Sequence, residues 1–219
     1  STANGSDTVD YSAITDANYS IFADLAVEGQ IVNIRNNSDL NTPIKTDTIY
    51  YIDNAIGTSG NDTFRGNANA NTLNGFAGNN TALYTFTALT AGIVANLQAG
   101  EVEKTVGSGV KVTDTLSKVQ NLVGIEFDDY FITKVDEANI INGGLQGSGG
   151  DTIDYSTNGA TKIVLDLDVL HTNNENSLGF SNDGTYASIQ VTSSSGTIID
   201  KIADIENIRG SAGADTIYG

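Results

Sequence analysis

The chain has 219 residues, a formal net charge of −17 and no cysteine. Its ten basic residues are spread singly, which argues against a basic surface for nucleic acid or anionic lipid. The absence of cysteine excludes disulfides and thiolate metal sites. The excess of acid favours either cations as partners or solubility alone. No secretory signal or membrane-spanning apolar run is present, and we expect the start at STANGSDTVDYS to be a cut inside a longer polypeptide.

Short blocks recur in one order along the chain. The first repeat, about 5–79, carries DTVDYS at 7–12, IFADLA at 21–26, TDTIYYIDNAIGTSGNDTF at 46–64 and NTLNG at 71–75. The second, about 80–150, carries NTALYT at 80–85, IVANLQ at 93–98, TDTLSKVQNLVGIEFDDYF at 113–131 and NIING at 139–143. The third, about 151–219, carries DTIDYS at 151–156, IVLDLD at 163–168 and IDKIADIENIRGSAGADTI at 199–217. This order predicts one domain, 1–219, with surface loops around 36–43 and 171–184.

Each block has the length and composition of a short β-strand. No stretch keeps a helical apolar period for more than two turns, and glycine and asparagine separate the blocks. The pattern suits a β-sandwich or a β-solenoid, but only a solenoid requires the same blocks in the same order. We therefore predict an all-β solenoid. Asparagines recur at matching positions and are expected to hydrogen-bond along the stack: Asn54, Asn121 and Asn207, and Asn71 and Asn139.

Two kinds of turn end in a carboxylate or an amide. GTSGNDTF at 57–64, GIEFDDYF at 124–131 and GSAGADTI at 210–217 end in Asp62, Asp129 and Asp215. ANGSDTV at 3–9, FAGNNTA at 76–82 and GSGGDTI at 147–153 place Asp7, Asn80 and Asp151 at the corresponding point. Calcium takes about 6–8 oxygen ligands, and two such turns from successive coils can supply them. The alternative is that each aspartate caps its turn by accepting hydrogen bonds from backbone amides.

These turns resemble the haemolysin-type calcium-binding repeat of the RTX (repeats-in-toxin) family, whose unit is Gly-Gly-x-Gly-x-Asp-x-apolar-x. The matching segments are GTSGNDTFR at 57–65, GSAGADTIY at 210–218 and, more loosely, GSGGDTIDY at 147–155. The wider pattern is similar to degenerate repeat blocks of large bacterial secreted or surface proteins of adhesin or surface-layer type. The resemblance implies a right-handed parallel β-roll or β-helix, calcium at the turns, type I secretion and folding triggered by extracellular calcium.

The chain also departs from the family pattern, so we expect a few calcium ions and not a full ladder. Asn71 and Asn80 stand where aspartate is usual, and Phe127 stands where glycine is usual. The best predicted site joins the turns ending at Asp129 and Asp151, and a weaker one joins those ending at Asp62 and Asn80. Asp7 and Asp215 would need a neighbour. The turn glycines included in these sites are Gly60, Gly149 and Gly213.

Other recurring acids are interpreted as turn and strand-edge residues. They are Asp47, Asp114 and Asp200, and in a second set Asp24, Asn96 and Asp166. His171, the only histidine, falls in a spacer, and no zinc-protease, nucleophile-elbow or phosphate-binding motif is present. The carboxylate pairs Asp128–Asp129 and Asp166–Asp168 are better explained by turns and strand alternation than by glycoside hydrolysis. The sequence therefore predicts a protein that is not an enzyme.

Two functional classes remain. The first is a calcium-stabilised structural module of an adhesin, surface-layer lattice or filament, located outside a bacterial cell. Its ends would expose open strand edges, which predicts head-to-tail contact with neighbouring repeats or with copies of itself. The second is a carbohydrate-binding or accessory calcium-binding module of a secreted enzyme, with surface glycans as partners. Tyr50, Tyr51, Tyr130 and Tyr218 are the aromatic candidates, and their position in repeat strands favours the structural class.

Overall fold

The computed structural model describes residues 6–27, 29–145, 147–166 and 186–218, and this part of the chain is all β-structure without a helix. The strands in chain order are β1 (Thr8–Asp10), β2 (Tyr19–Asp24), β3 (Ile31–Asn36), β4 (Asp39–Thr48), β5 (Asn54–Ile56), β6 (Thr63–Arg65), β7 (Thr72–Asn74), β8 (Thr81–Leu83), β9 (Leu89–Asn96), β10 (Glu101–Val106), β11 (Val110–Ser117), β12 (Asn121–Val123), β13 (Tyr130–Ile132), β14 (Ile140–Asn142), β15 (Thr152–Asp154), β16 (Lys162–Asp166), β17 (Ala187–Ser193), β18 (Gly196–Ala203), β19 (Asn207–Arg209) and β20 (Thr216–Tyr218).

The strands form two large mixed sheets. Sheet 1 has nine strands in the order β1-β5-β7-β11-β10-β9-β13-β15-β19. Sheet 2 has eleven strands in the order β20-β16-β17-β18-β14-β12-β8-β6-β2-β3-β4. The buried apolar side chains of both sheets belong to one core cluster. The prediction of an all-β fold is therefore confirmed for the described residues.

Parallel pairs connect the three-residue strands from one turn to the next. In sheet 2, Phe64 of β6 lies opposite Ala82 of β8, which lies opposite Leu122 of β12. In sheet 1, Phe131 of β13 lies opposite Ile153 of β15. Side chains alternate along a strand, so the middle residue of each of these strands points into the core. That geometry explains why one apolar residue every nine or so positions is enough to define the core.

Each repeat also contains three longer strands that pair antiparallel. They are β2–β4 in the first repeat, β9–β11 in the second and β16–β18 in the third. The first and third sets lie in sheet 2 and the second lies in sheet 1. Successive repeats therefore exchange sheets, and no feature of the repeated blocks predicts this exchange.

The predicted surface loop at 36–43 is wrong in one respect. The segment is exposed, but it forms the end of β3, a tight turn and the start of β4. Asn36 pairs with Asp39, so two residues complete the turn, and the Asn36 side chain accepts hydrogen bonds from Ser38 N and Oγ. The sequence conceals this hairpin because β4 is exposed along nearly its whole length and therefore carries no apolar alternation. The predicted loop at 171–184, with His171, lies outside the described residues, as does Asp168.

Candidate functional site: the capped turns

The three aspartates of the first turn type cap backbone amides. Asp129 accepts hydrogen bonds from Ile93 N at Oδ1 and from Ile125 N at Oδ2, both at 2.7 Å. Asp62 accepts in the same way from Ile21 N at 2.8 Å and Thr58 N at 2.7 Å. One donor lies in the same turn and the other lies in a strand of the preceding long segment. The Asp129 and Asp62 carboxylates therefore tie their turns to strands 36 and 41 residues earlier in the chain.

Burial raises the pKa of both carboxyls. Asp62 is 1% exposed and Asp129 is 2% exposed. Desolvation raises the pKa of Asp62 to about 6 and that of Asp129 to about 7, although the amide hydrogen bonds act in the opposite direction. The nearby carboxylates of Asp151 and Asp128 add to the rise at Asp129.

The structure brings together the turns that the sequence paired. Asp129 N donates to Asp151 Oδ1 at 2.7 Å, and Asp62 N donates to Asn80 Oδ1 at 2.8 Å. Asp7 and Asp215 are not brought together. Asp7 N donates to Asp53 Oδ2, whereas Asp215 Oδ1 accepts from Ile163 N at 2.8 Å and Ser211 Oγ at 2.6 Å, at the opposite ends of the sheets.

An amide suits position 80 because the Asn80 side chain faces carbonyl oxygens. Its Nδ2 donates to Ala77 O and Lys118 O, both at 2.8 Å, and to Gly75 O at 3.1 Å. A carboxylate has no donor for these groups unless it is protonated. Asn71 likewise uses both ends of its amide: Oδ1 accepts a hydrogen bond from Asn67 N, and Nδ2 donates one to Asp53 O. The two departures from the family pattern therefore match the groups that the turn presents.

Asp151 is the exception among these turns. It occupies the position of Asn80, it is fully buried, and its Oδ2 has no hydrogen-bond partner. A Cβ built on Gly143 would lie 2.1 Å from Asp204 O and 2.2 Å from Asp151 Oδ2. A Cβ built on Gly75 would lie 2.2 Å from both Lys118 O and Asn80 Nδ2, which are hydrogen-bonded to each other. The matching geometry places the Asp151 oxygen where an amide donor stands in the preceding repeat.

The surroundings of Asp151 are acidic. Desolvation raises its pKa to about 6, and the carboxylates of Glu206, Asp128 and Asp204 contribute to the rise. Asp151 N donates to Glu206 Oε2 at 2.7 Å, and Asp128 accepts from Gly149 N at 3.0 Å and Gly150 N at 2.9 Å. An unpartnered oxygen that faces a carbonyl among carboxylates attracts a proton or a cation.

Glycines make room for each cap. A Cβ at Gly57 would lie 2.2 Å from Asp62 Oδ2, and one at Gly124 would lie 2.1 Å from Asp129 Oδ2. Two of the three glycines included in the predicted calcium sites also lie close to neighbouring backbone. A Cβ at Gly60 would lie 2.1 Å from Tyr19 O, and one at Gly213 would lie 1.9 Å from Thr161 O. These two positions allow a neighbouring strand to approach the turn closely.

The recurring asparagines hydrogen-bond to backbone groups of neighbouring strands and turns. Asn54 Oδ1 accepts from Thr72 N at 2.7 Å, and Asn121 Oδ1 accepts from Ile140 N at 3.0 Å. Asn207 Nδ2 donates to Gly149 O at 2.9 Å. Asn139 Nδ2 donates to Gln120 O, as Asn71 Nδ2 donates to Asp53 O. The predicted hydrogen bonding is confirmed toward backbone groups, but no hydrogen bond joins two of these asparagines within the described part of the chain.

The interpretation as turn or strand-edge residues is wrong for Asp114 and Asp200, which are fully buried in interior strands, whereas Asp47 lies near the end of β4, the last strand of sheet 2. All three lie within β4, β11 and β18, and each accepts a hydrogen bond from a tyrosine hydroxyl in its own repeat. The donors are Tyr11 at 2.8 Å, Tyr84 at 3.1 Å and Tyr155 at 2.9 Å. The pairing could have been predicted from the sequence, because both the tyrosine and the aspartate recur in each repeat. By contrast, Asp24, Asn96 and Asp166 do end their strands.

Lys104 was missed by sequence reasoning. Its side chain is fully buried, and its Nζ lies 2.7 Å from Asp114 Oδ1 and donates to Asn67 O at 2.7 Å. Burial lowers the pKa of Lys104 and raises that of Asp114, and the attraction between the two charges opposes both shifts. In EVEKTV, Lys104 alternates with Val102 and Val106 and so lies on their inward face, a signal of burial that the sequence analysis did not use. The partner Asp114 is ten residues away on the antiparallel strand β11.

A cavity of about 650 Å³ opens beside the turn at 124–128. Phe86, Phe127 and Leu145 contribute apolar surface, and Glu126 and Asp204 contribute carboxylates. The tyrosines suggested for glycan binding do not line it. Tyr50, Tyr51 and Tyr218 are exposed elsewhere, and the Tyr130 hydroxyl donates to Asp154.

Within residues 6–27, 29–145, 147–166 and 186–218, no three histidine, cysteine, aspartate or glutamate side chains form a group that could hold a metal ion. The same residues contain no helix long and apolar enough to cross a membrane. No protein-family model matches the chain, and a comparison with curated proteins gives no match. Calcium binding at the turns, and the absence of catalysis, stay predictions.

Proposed function

We propose that the chain is a non-catalytic structural module of a bacterial secreted or cell-surface protein, built as a right-handed parallel β-solenoid and stabilised by calcium. The bacterial and extracellular setting and the right-handed coil rest on the resemblance of the turns to RTX repeats. The solenoid is supported by the parallel pairing of successive short strands, such as β6 with β8 and β13 with β15. Stacking of this kind buries apolar residues that no single repeat could bury alone.

The unpartnered Asp151 Oδ2 is the observation that carries the calcium part of the proposal. The oxygens of Asp62 and Asp129 already accept hydrogen bonds from amides, so these residues fit a capping role better than a metal-binding one. Around Asp151 the groups fit a hard cation, because the Asp204 carbonyl and the Asp151 carboxylate converge beside Gly143.

Thermal unfolding followed by circular dichroism tests the calcium proposal. At about 10 mM calcium, a site of the weak extracellular kind stabilises the folded state by about 2 kcal/mol, which raises Tm by about 4–8 °C for a chain of this size. Magnesium should give a much smaller rise, because it requires a tighter octahedral shell. Asp151→Asn should abolish the calcium-dependent rise, whereas Asp62→Asn should retain it. An identical Tm in chelator and in calcium would refute calcium binding.

A further inference from the structure

The strands at the two ends of the sheets leave core residues uncovered. Ile217 in the middle of β20 is 50% exposed, whereas Phe64 and Phe131 at the matching positions of β6 and β13 are 0% exposed. β20 pairs with β16 on one side, and β1 pairs with β5 on one side. The other edge of each strand has no strand partner among the described residues.

The chain itself contains the register that would cover these edges. The strands equivalent to β20 each pair in parallel with a strand equivalent to β1. β6 pairs with β8 through Phe64 and Ala82, and β13 pairs with β15 through Phe131 and Ile153. In the same register, Ile217 of β20 would face Val9 of β1. Two internal examples therefore define the contact that the free edges can make.

The turns at these edges are complementary as well. At both internal junctions the aspartate of the first turn donates its N–H to the side chain of the second, from Asp62 to Asn80 and from Asp129 to Asp151. The matching pair is Asp215, whose N–H has no acceptor among the described residues, and Asp7, whose side chain is exposed. A backbone bond accompanies each junction, as from Thr81 N to Asp62 O at 2.9 Å.

From these matches we propose that β20 of one copy pairs in parallel with β1 of a second copy, with Asp215 N–H donating to the Asp7 carboxylate. The proposal rests on the proposed structural role and specifies the surface through which modules join. Because successive repeats exchange sheets, β1 in sheet 1 of the second copy aligns with β20 in sheet 2 of the first. Each copy has one donor end and one acceptor end, so the contact is heterologous and propagates into chains.

Two features make the contact weak. Each copy has a net charge of −17, so like-charge repulsion opposes docking until salt screens it. In addition, only one of the two sheets continues across the junction. Inside the chain β7 bridges β5 and β11, and no equivalent strand among the described residues bridges β19 and the β4 of the second copy. Association should therefore appear at high protein concentration and about 0.5 M salt, where the Debye length is only a few ångströms.

Engineered cysteines test the pairing directly, because the chain has no cysteine of its own. In the proposed register Thr8 lies opposite Thr216, as Thr81 lies opposite Thr63. The variant Thr8→Cys/Thr216→Cys, treated with a short bismaleimide, should form a ladder of dimers, trimers and larger species. The control Thr8→Cys/Thr197→Cys places its second cysteine in β18, away from the β20 edge. Equal yields from both variants, or monomers alone, would overturn the proposal.

Substitutions of Asp7 separate the side-chain bond from general charge effects. Asp7→Ala should reduce cross-linking of the Thr8/Thr216 pair about fivefold, the factor for one lost hydrogen bond. Asp7→Asn should retain it, because the amide oxygen still accepts, as that of Asn80 does. Glu126→Ala, which removes an exposed charge beside the cavity, is the matched control. No difference between Asp7→Ala and Glu126→Ala would refute the Asp215–Asp7 bond. A folded, calcium-responsive monomer that never cross-links refutes docking and leaves the calcium-stabilised module standing.

Discussion

Replacing aspartate by asparagine should shift the stability of this chain in opposite directions at Asp129 and Asp151. Both residues are buried and they belong to adjacent turns. At Asp129 the two carboxylate oxygens accept hydrogen bonds from Ile93 N and Ile125 N. Asparagine has one acceptor for these two donors, so one N–H meets an NH2 group and loses its partner.

The expected loss at Asp129 is the cost of one unsatisfied buried donor, about 1–3 kcal/mol. For a chain of this size that corresponds to a fall in Tm of about 4–8 °C at the middle of that range. At Asp151 the new Nδ2 would take the place of an oxygen without a partner and would face Asp204 O, as Asn80 Nδ2 faces Lys118 O. One gained hydrogen bond adds about 1 kcal/mol, or about 2–4 °C.

The assay is urea and thermal unfolding of the wild type, Asp129→Asn and Asp151→Asn at pH 7 in the presence of chelator. Chelator is required because a cation at Asp151 would stabilise the wild type and mask the gain. Asp62→Asn is the control for position, since it has the capping geometry of Asp129 in another repeat and should also destabilise. If both substitutions changed the free energy of unfolding in the same direction, the reasoning would be refuted. It holds that a carboxylate suits a turn that faces N–H groups and that an amide suits a turn that faces a carbonyl.

Two further predictions concern the buried pairs inside the repeats. Lys104→Met should lower the free energy of unfolding by about 3–5 kcal/mol, because Asp114 then remains buried without its cation. Lys111→Met, which breaks an exposed ion pair, should cost under about 1 kcal/mol in the same urea titration, and similar losses for both would contradict the buried pair. Burial raises the pKa of Asp200 to about 7, so the folded state holds a proton that the unfolded state releases near pH 4. Its contribution to stability therefore falls as pH rises from about 4 to about 7. Asp200→Asn should reduce this slope in metal-free buffer without abolishing it, because the raised pKa values of Asp62, Asp129 and Asp151 act in the same direction. An unchanged slope would show that Asp200 does not contribute to it.

The repeats and the positions of the short strands follow from the sequence, because a three-residue strand needs only one inward apolar residue between turn signals. Phe64, Leu73 and Phe131 are all core residues of this kind. The turns that meet, Asp129 with Asp151 and Asp62 with Asn80, also followed from the order of blocks. Among the longer antiparallel strands, β2, β9 and β16 overlap predicted blocks, whereas most of β4 was not predicted because an exposed strand carries no apolar alternation.

The sequence by itself determined three repeats, an all-β architecture and the turn positions that carry a short polar side chain. The tertiary structure decided what each of those side chains does. Whether a turn residue meets an N–H group, as Asp129 does, or a carbonyl, as Asn80 does, depends in part on backbone that lies 36 or 38 residues away in the chain. The partner of Lys104 and the unpartnered oxygen of Asp151 are likewise products of chain packing. Local sequence sets the turn, but the direction of a hydrogen bond is set by the group that the neighbouring strand or turn presents.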